Sequence, residues 1–426
     1  MASQTSRRDS PHPDSQSRTA IGLSIGSSCQ TLKAALVEAT GRGLRMQATV
    51  RAVVCLPPEE SRGTLQKLVR GGGTEASVET LSQARIELAE WEVESVRRLC
   101  EESAVSAARA LIVGIDDPGV WCATKPRPTY LSLGDAARVA EATGISVVDA
   151  FAARDLAQGG QGGPIGALPL WILLRHAREN RLLVDLGRTT RVSLLPGDSC
   201  SLASSRILSF DAGPGVALLD QLATRLTGGR HVFDPGGRFA VQGRRIGPLF
   251  DHWLADHAFS RTLPCWHPRG IRPDRFLNDA VRMAVEENWS VQDMLCTATH
   301  LIAEAVSLAA RERLPSDLPL DRLVITGGGQ HNGLLLREIG ARLDRIPLSR
   351  VSELGVVDEA LEPACSAILA LFHLDQTPGN VGSVTGAEIP RVLGRLTPGC
   401  PQNWQRLVHQ MTGVEATIRP LRSALR

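Results

Sequence analysis

Residues 20–38 read Ala-Ile-Gly-Leu-Ser-Ile-Gly-Ser-Ser-Cys-Gln-Thr-Leu-Lys-Ala-Ala-Leu-Val-Glu, and this stretch sets the architecture. Residues 20–24 have the apolar character of a strand, Gly26-Ser27-Ser28 make a small-residue turn, and residues 32–38 are again mostly apolar. A strand, a Gly/Ser turn and a strand form a hairpin that can wrap a phosphate through backbone N–H groups and hydroxyls. Lys33, on the second strand, either adds an ammonium near that phosphate or projects into solvent. The pattern returns at Leu182-Leu183-Val184-Asp185-Leu186-Gly187, followed by a strand over 192–195. An Asp-x-Gly turn suits Mg²⁺ held through water, since Mg²⁺ keeps several of its waters; the alternative is an ordinary strand-end aspartate. Two such hairpins in one chain point to a duplicated lobe.

Three glycine clusters extend the reading. Residues 154–164 run Arg-Asp-Leu-Ala-Gln-Gly-Gly-Gln-Gly-Gly-Pro, so that Asp155 stands just ahead of Gly159, Gly160, Gly162 and Gly163. Glycines that dense let backbone approach a ligand closely, and a carboxylate beside them can take a proton. The second cluster is Phe210-Asp211-Ala212-Gly213-Pro214-Gly215, read as a loop ahead of a helix over 216–227. Asp211 there either faces a substrate or caps that helix. The third, Gly327-Gly328-Gly329, follows the strand-like run 322–326 and leaves room for a flat ring, or is a plain strand-to-helix turn.

Bulk properties exclude several classes. A chain of 426 residues is too long for one compact core and suggests two lobes. A net charge of +2 gives no reason to expect nucleic acid or an anionic membrane as partner. The nine cysteines are scattered with no C-x-x-C pair, which argues against a disulfide framework or a structural zinc. No apolar run reaches the roughly 20 residues of a membrane span. Residues 1–19 are polar, without the apolar core of a signal peptide, so the reading is a disordered leader and a cytoplasmic protein.

Between the clusters, residues 57–74 read as a loop, and residues 80–111 have helical periodicity running into a strand at 110–113. Residues 135–143 form a short helix closed by Gly144, and 145–149 a buried strand. Residues 291–313 are a long amphipathic helix, and 334–343 another. The seven tryptophans show no spacing of a stacking platform and read as core or lobe contacts. Mixed strands first, then alternating strand and helix, fit a two-lobed α/β protein.

With these elements in order, the chain resembles the actin, sugar-kinase and heat-shock-protein-70 superfold, and within it the anhydro-N-acetylmuramic acid kinase family. The resemblance covers residues 21–387. It is carried by Asp155 with Gly159-Gly160-Gln161-Gly162-Gly163-Pro164, by Phe210–Gly215 read as above, and by Gly327-Gly328-Gly329-Gln330-His331-Asn332. Thr129-Tyr130-Leu131-Ser132-Leu133-Gly134-Asp135 and the stretch from Pro378-Gly379-Asn380 to Val384-Thr385-Gly386-Ala387 agree as well. What it implies is a two-lobed, actin-like (ribonuclease H-like) sugar-kinase fold with an interlobe cleft. Lobe I would span 20–145, completed by part of the C-terminus, and lobe II 146–390, with 391–426 a C-terminal segment.

The implied chemistry is opening of a 1,6-anhydro sugar ring by water with phosphorylation of O6, using ATP and Mg²⁺, in cell-wall recycling. Asp155 matches the base for that water. Gly26, Ser27, Ser28, Lys33, Asp185 and Gly187 match the phosphate side, and Gly327, Gly328 and Gly329 the nucleoside side. Gly159, Gly160, Gln161, Gly162, Asp211, Gly213 and Glu362 fall on the sugar side. A homodimer is the family tendency. The chain departs from the family pattern where Gln30 and Lys33 replace two aspartates, and where Gly114-Ile115-Asp116-Asp117-Pro118-Gly119 stands in place of the sugar loop. Two other readings follow from those departures: a catalytically impaired binding homologue, and a kinase for a different sugar.

Overall fold

The computed structural model describes residues 17–26, 29–58, 63–71, 76–122, 129–200, 203–259, 261–268 and 270–412. The expected leader (1–16) and two of the expected phosphate ligands, Ser27 and Ser28, lie outside the described residues.

Thirteen strands are described: β1 Arg18–Ile25, β2 Leu32–Thr40, β3 Gln47–Leu56, β4 Ile112–Asp116, β5 Val120–Cys122, β6 Thr129–Leu131, β7 Ser146–Asp149, β8 Arg181–Leu186, β9 Thr189–Leu195, β10 Leu208–Pro214, β11 Arg322–Thr326, β12 Leu348–Arg350 and β13 Arg395–Thr397. The first sheet has the order β13-β7-β4-β1-β2-β3 and the second β10-β9-β8-β11-β12; β5 and β6 pair as a separate ribbon. In the first sheet β1 is antiparallel to β2, β2 antiparallel to β3, and β1 parallel to β4. The second repeats this: β8 is antiparallel to β9, β9 antiparallel to β10, and β8 parallel to β11. Each lobe is thus a three-strand meander extended by parallel strands, the duplicated architecture that the paired hairpins imply.

The repeat fixes which residues correspond. Ser24 faces Asp116 on β4 and Lys33 on β2. Asp185 faces Thr326 on β11 and Arg191 on β9. Ser24 therefore corresponds to Asp185, Asp116 to Thr326, and Lys33 to Arg191.

Several expected boundaries move. β1 starts at Arg18, two residues before the expected strand start at residue 20. β7 pairs with β4, which places 146–149 in the first sheet. β13 closes that sheet by pairing with β7. The expected loop over 57–74 contains a helix, Gly63–Gly71. Residues 210–214 continue β10 instead of forming a loop, with the ladder irregular between Asp211 and Gly213. β3 has no counterpart among the expected strands.

Helix Leu361–Leu374 packs against β1, β2 and β4. Gly22 and Gly114 are opposite each other in the β1–β4 register. A Cβ on Gly22 would overlap the Pro363 carbonyl oxygen, and one on Gly114 that of Ser366. The helix backbone thus lies directly on the sheet, because the strands beneath it lack side chains there. Its core joins the lobes: Ala20, Ile112 and Val148 from the first sheet cluster with Leu183, Leu195 and Val324 from the second around this helix and helix Ala167–Leu174. Replacing Gly22 by alanine should destabilise the protein by about 1–3 kcal/mol, read as a lower urea midpoint. An unchanged midpoint would show that the helix can rise without penalty.

Candidate active site

The second-lobe hairpin turn is built from close backbone approaches. Val216 N–H, at the start of helix Val216–Leu226, donates to the Gly187 carbonyl at 2.8 Å. Gly327 has φ of +80°. A Cβ there would sit 2.5 Å from Asp185 Oδ1 and 2.9 Å from Gly187 N, and one on Gly329 would sit 2.6 Å from Leu186 Cβ. Asp185, Gly187, Gly327 and Gly329 therefore meet at one corner, as the sequence leads one to expect. Asp358 holds this corner: its Oδ1 accepts from Gly327 N–H at 2.8 Å and from the Thr326 hydroxyl. Above Gly328 the nearest atom to a built Cβ is Val216 Cγ2 at 4.0 Å, and above Gly26 there is none within 4 Å. At Gly328 there is thus room beside the backbone for a ligand atom.

Charges crowd the same cleft. Lys33 Nζ lies 3.0 Å from Glu362 Oε2, which the N-terminal turn of helix Leu361–Leu374 delivers. Its counterpart Arg191 donates from Nε to Asp211 Oδ1 at 3.1 Å. Asp211 Oδ2 also accepts from His267 N–H at 3.2 Å, and the residue is buried. Asp211 is therefore committed to Arg191 and to the 265–267 segment. It does not cap the helix after Gly215, which has no side-chain cap. Gly213 is taken up by packing as well, since a Cβ there would be 2.6 Å from Ala305 and 3.0 Å from Phe259.

Burial raises Asp185 to about 6; Glu362 and Asp358 push the same way, while Arg191 and Lys33 oppose them. Burial, then Asp117 and Glu362, raises Asp116 to about 7. Burial alone would lower the Lys33 ammonium, but Glu362 and Asp358 outweigh it and carry it upward. The oxygen donors Asp116, Asp185, Asp358 and Glu362 suit a hard divalent cation. No three metal-ligating side chains converge among the described residues.

Asp155 lies in a short helix, Phe151–Ala157, and has no accessible surface. Its Oδ1 accepts from Asn380 Nδ2 at 2.7 Å and from Thr385 Oγ1 at 2.6 Å; Oδ2 accepts from Gly162 N–H at 2.8 Å. Three donors on four acceptor positions leave one on Oδ2. A Cβ on Gly160 would collide with that oxygen. Gln161 is spent on positioning: its amide donates to the Pro264 carbonyl at 2.7 Å and accepts from Trp266 N–H at 2.9 Å. Gly159 turns the chain with φ of +81°.

The site thus has a nucleotide-like corner and a glycine-loop corner. Asp116 feels the charge of Glu362, and its own charge adds to the burial and the Asp117 carboxylate that raise the Tyr130 hydroxyl. Sequence reasoning missed Asp358, Arg191 and the role of Asp116. It quoted Asn380 and Thr385 as matching positions without a role, and a polar pair flanked by Gly379 and Gly386 was the available signal.

Both raised carboxyls have native pKa values above the unfolded 3.8. Over about pH 4–7 each of these two groups therefore holds more proton in the native state than in the unfolded chain, and its own contribution to stability falls as pH rises. Asp185→Asn removes its share of that slope. Its melting temperature should match wild type near pH 4 and gain on it toward pH 7; a constant difference across that range would contradict the burial of a raised carboxyl there.

The geometry can be set beside known proteins. The family model for anhydro-N-acetylmuramic acid kinase matches residues 18–399. A protein of that name from Salinibacter ruber is 32% identical over 392 residues, covering 90% of this chain and 97% of its own. Another, from Crocosphaera subtropica, is 30% identical over 386 residues, covering 88% and 98%. Among solved structures, a ROK family glucokinase from Streptomyces griseus in complex with glucose and AMPPNP aligns over 83% of this chain and 99% of its own, at 15% identity and TM-score 0.32. That likeness is too distant to bear weight, and the two-lobed assignment rests on strand order and family.

Proposed function

The chain belongs to the anhydro-N-acetylmuramic acid kinase family, and on that premise we propose that it is an ATP-dependent carbohydrate kinase that opens a 1,6-anhydro-N-acetylmuramic acid ring and phosphorylates O6. The observation that best supports a catalytic Asp155 is its carboxylate, fixed by three donors with one acceptor position left on Oδ2 beneath the side-chainless Gly160. In the reaction a water gives its proton to Oδ2 and its oxygen bonds to the anomeric carbon. The C1–O6 bond breaks, and O6 takes the γ-phosphoryl group as ADP leaves. The products are the 6-phosphorylated open sugar, ADP and a proton. Because Asp155 is enclosed, the 159–163 loop must shift for that water to reach it.

Gly187 and Gly26 would face the phosphates, and Gly327–Gly329 the nucleoside. Mg²⁺ carried with the nucleotide would neutralise the phosphates, and Asp185, at its corner, would bind it through water. Lys33 and Glu362 stand between this corner and the sugar. The same premise gives cell-wall sugar recycling in the cytoplasm and a homodimer. Among the described residues no helix is long and apolar enough to cross a membrane.

The decisive comparison is wild type against Asp155→Asn. Millimolar MgATP should raise the melting temperature of both, and the anhydro sugar should raise it further, since ligands that bind only the folded state stabilise it. Phosphoryl transfer to the sugar should fall at least about a hundredfold in the variant. An active Asp155→Asn enzyme would remove Asp155 from the chemistry, and no shift with either ligand in wild type would remove the kinase reading.

A further inference from the structure

Three aromatic side chains that this chemistry leaves unused form one cluster, two of them against the glycine loop. The Trp121 ring, on β5, has its centroid 4.8 Å from Tyr130, on β6, at a tilt of 46°. It lies 5.5 Å from Trp266 in an edge-to-face arrangement at 75°. All three are half-buried. A Cβ on Gly162 would sit 2.6 Å from Trp121 Cη2, and one on Gly163 2.6 Å from Trp266 Cζ2. Both indoles therefore rest directly on the backbone that donates to Asp155.

The wall is held from behind. Tyr130 donates its hydroxyl to Asp117 Oδ1, while Asp117 Oδ2 accepts from Ser132 Oγ at 2.5 Å and Gly134 N–H at 2.6 Å. Gly119, at φ +52°, has no side chain where the Tyr130 ring lies. Trp266 is fixed by its N–H donation to Gln161. Val120, beside Trp121, belongs to the first-lobe core, and Cys265, beside Trp266, to the second. The edge-to-face contact thus crosses from one lobe to the other.

A half-buried aromatic face with a carboxylate, Asp117, on its Tyr130 end matches what a pyranose presents: an apolar C–H face to lie on the rings and hydroxyls to reach a polar edge. We propose that Trp121, Tyr130 and Trp266 form a stacking wall for the sugar ring, with Trp121 and Trp266 as specificity-determining residues contributed by the two lobes. This rests on the kinase reading above and assigns the sugar side of the same site.

The test uses the full chain with 1,6-anhydro-N-acetylmuramic acid as probe. Titrating the sugar should quench tryptophan emission in wild type, and Trp121→Leu or Trp266→Leu should each remove part of the quench. Leucine keeps apolar bulk, so folding is checked by the unchanged MgATP-induced melting shift. KM for the sugar should rise about tenfold or more in each variant, with KM for ATP unchanged. A sugar KM unaltered in both folded variants overturns the wall. Should the leucine variants fail to fold, Trp121→Phe and Trp266→Phe replace them, and an unmodified quench in both also overturns it. Quenching by sugar without any nucleotide response keeps the wall and sinks the kinase. A nucleotide response with neither quench nor sugar-induced shift sinks the wall alone.

Discussion

The seat of helix Leu361–Leu374 on two facing glycines is the constraint on which the rest depends. With no side chain on Gly22 or Gly114, helix carbonyls occupy the space that Cβ atoms would fill. The far end is pinned by a buried pair: Arg18 Nη1 lies 2.6 Å from Asp375 Oδ1, and Gly43 N–H donates to the same carboxylate at 2.9 Å. A buried ion pair adds little net stability, and its value here is in fixing position. The helix is about 21 Å long at 1.5 Å per residue, so what is fixed at one end is delivered at the other. What it delivers is Glu362, beside Lys33. A strand-level packing requirement thereby sets a charge in the cleft.

The two lobes repeat a topology but not a chemistry. At equivalent positions they carry Ser24 and Asp185, Asp116 and Thr326, Lys33 and Arg191. Each cation is neutralised from a different element, Lys33 by Glu362 and Arg191 by Asp211. Asp358 crosses from the segment beside β2 and β3 to hold Thr326 and Gly327 of the second lobe. Carboxylates of both lobes thus share one low-dielectric space, which is why Asp116 and Asp185 both titrate upward.

What was legible in the sequence was what local patterns determine. The two hairpins, the strand before Gly327, and the Gly144 cap of helix Ala136–Thr143 follow from apolar runs and turn chemistry spaced within a few residues. β3 was not legible, because an edge strand reading Gln-Ala-Thr-Val-Arg-Ala-Val-Val-Cys-Leu is polar on one face and only half-buried on the other. Helix Gly63–Gly71 was hidden by the glycines that bound it. In the site, the carboxylate and glycine positions were visible as types, but their assignments were not. Asp211 and Gln161 look like ligands until Arg191, Pro264 and Trp266 claim them. The contact of Trp121 with Trp266 leaves no trace in spacing, since the two sit on different lobes.

The run Gly159-Gly160-Gln161-Gly162-Gly163 then has a physical account different from a phosphate cradle. Only one of its amides, Gly162 N–H, meets a carboxylate, and that carboxylate is the protein's own. Gly160 is required because Asp155 Oδ2 lies where its Cβ would be, and Gly162 and Gly163 because two indoles do. The loop is a thin layer of backbone with a buried acid beneath it and an aromatic face above. Thinness is what glycine supplies, and no other residue leaves both sides so close. The covering of the carboxylate and the seating of both indoles therefore depend on the same few backbone atoms.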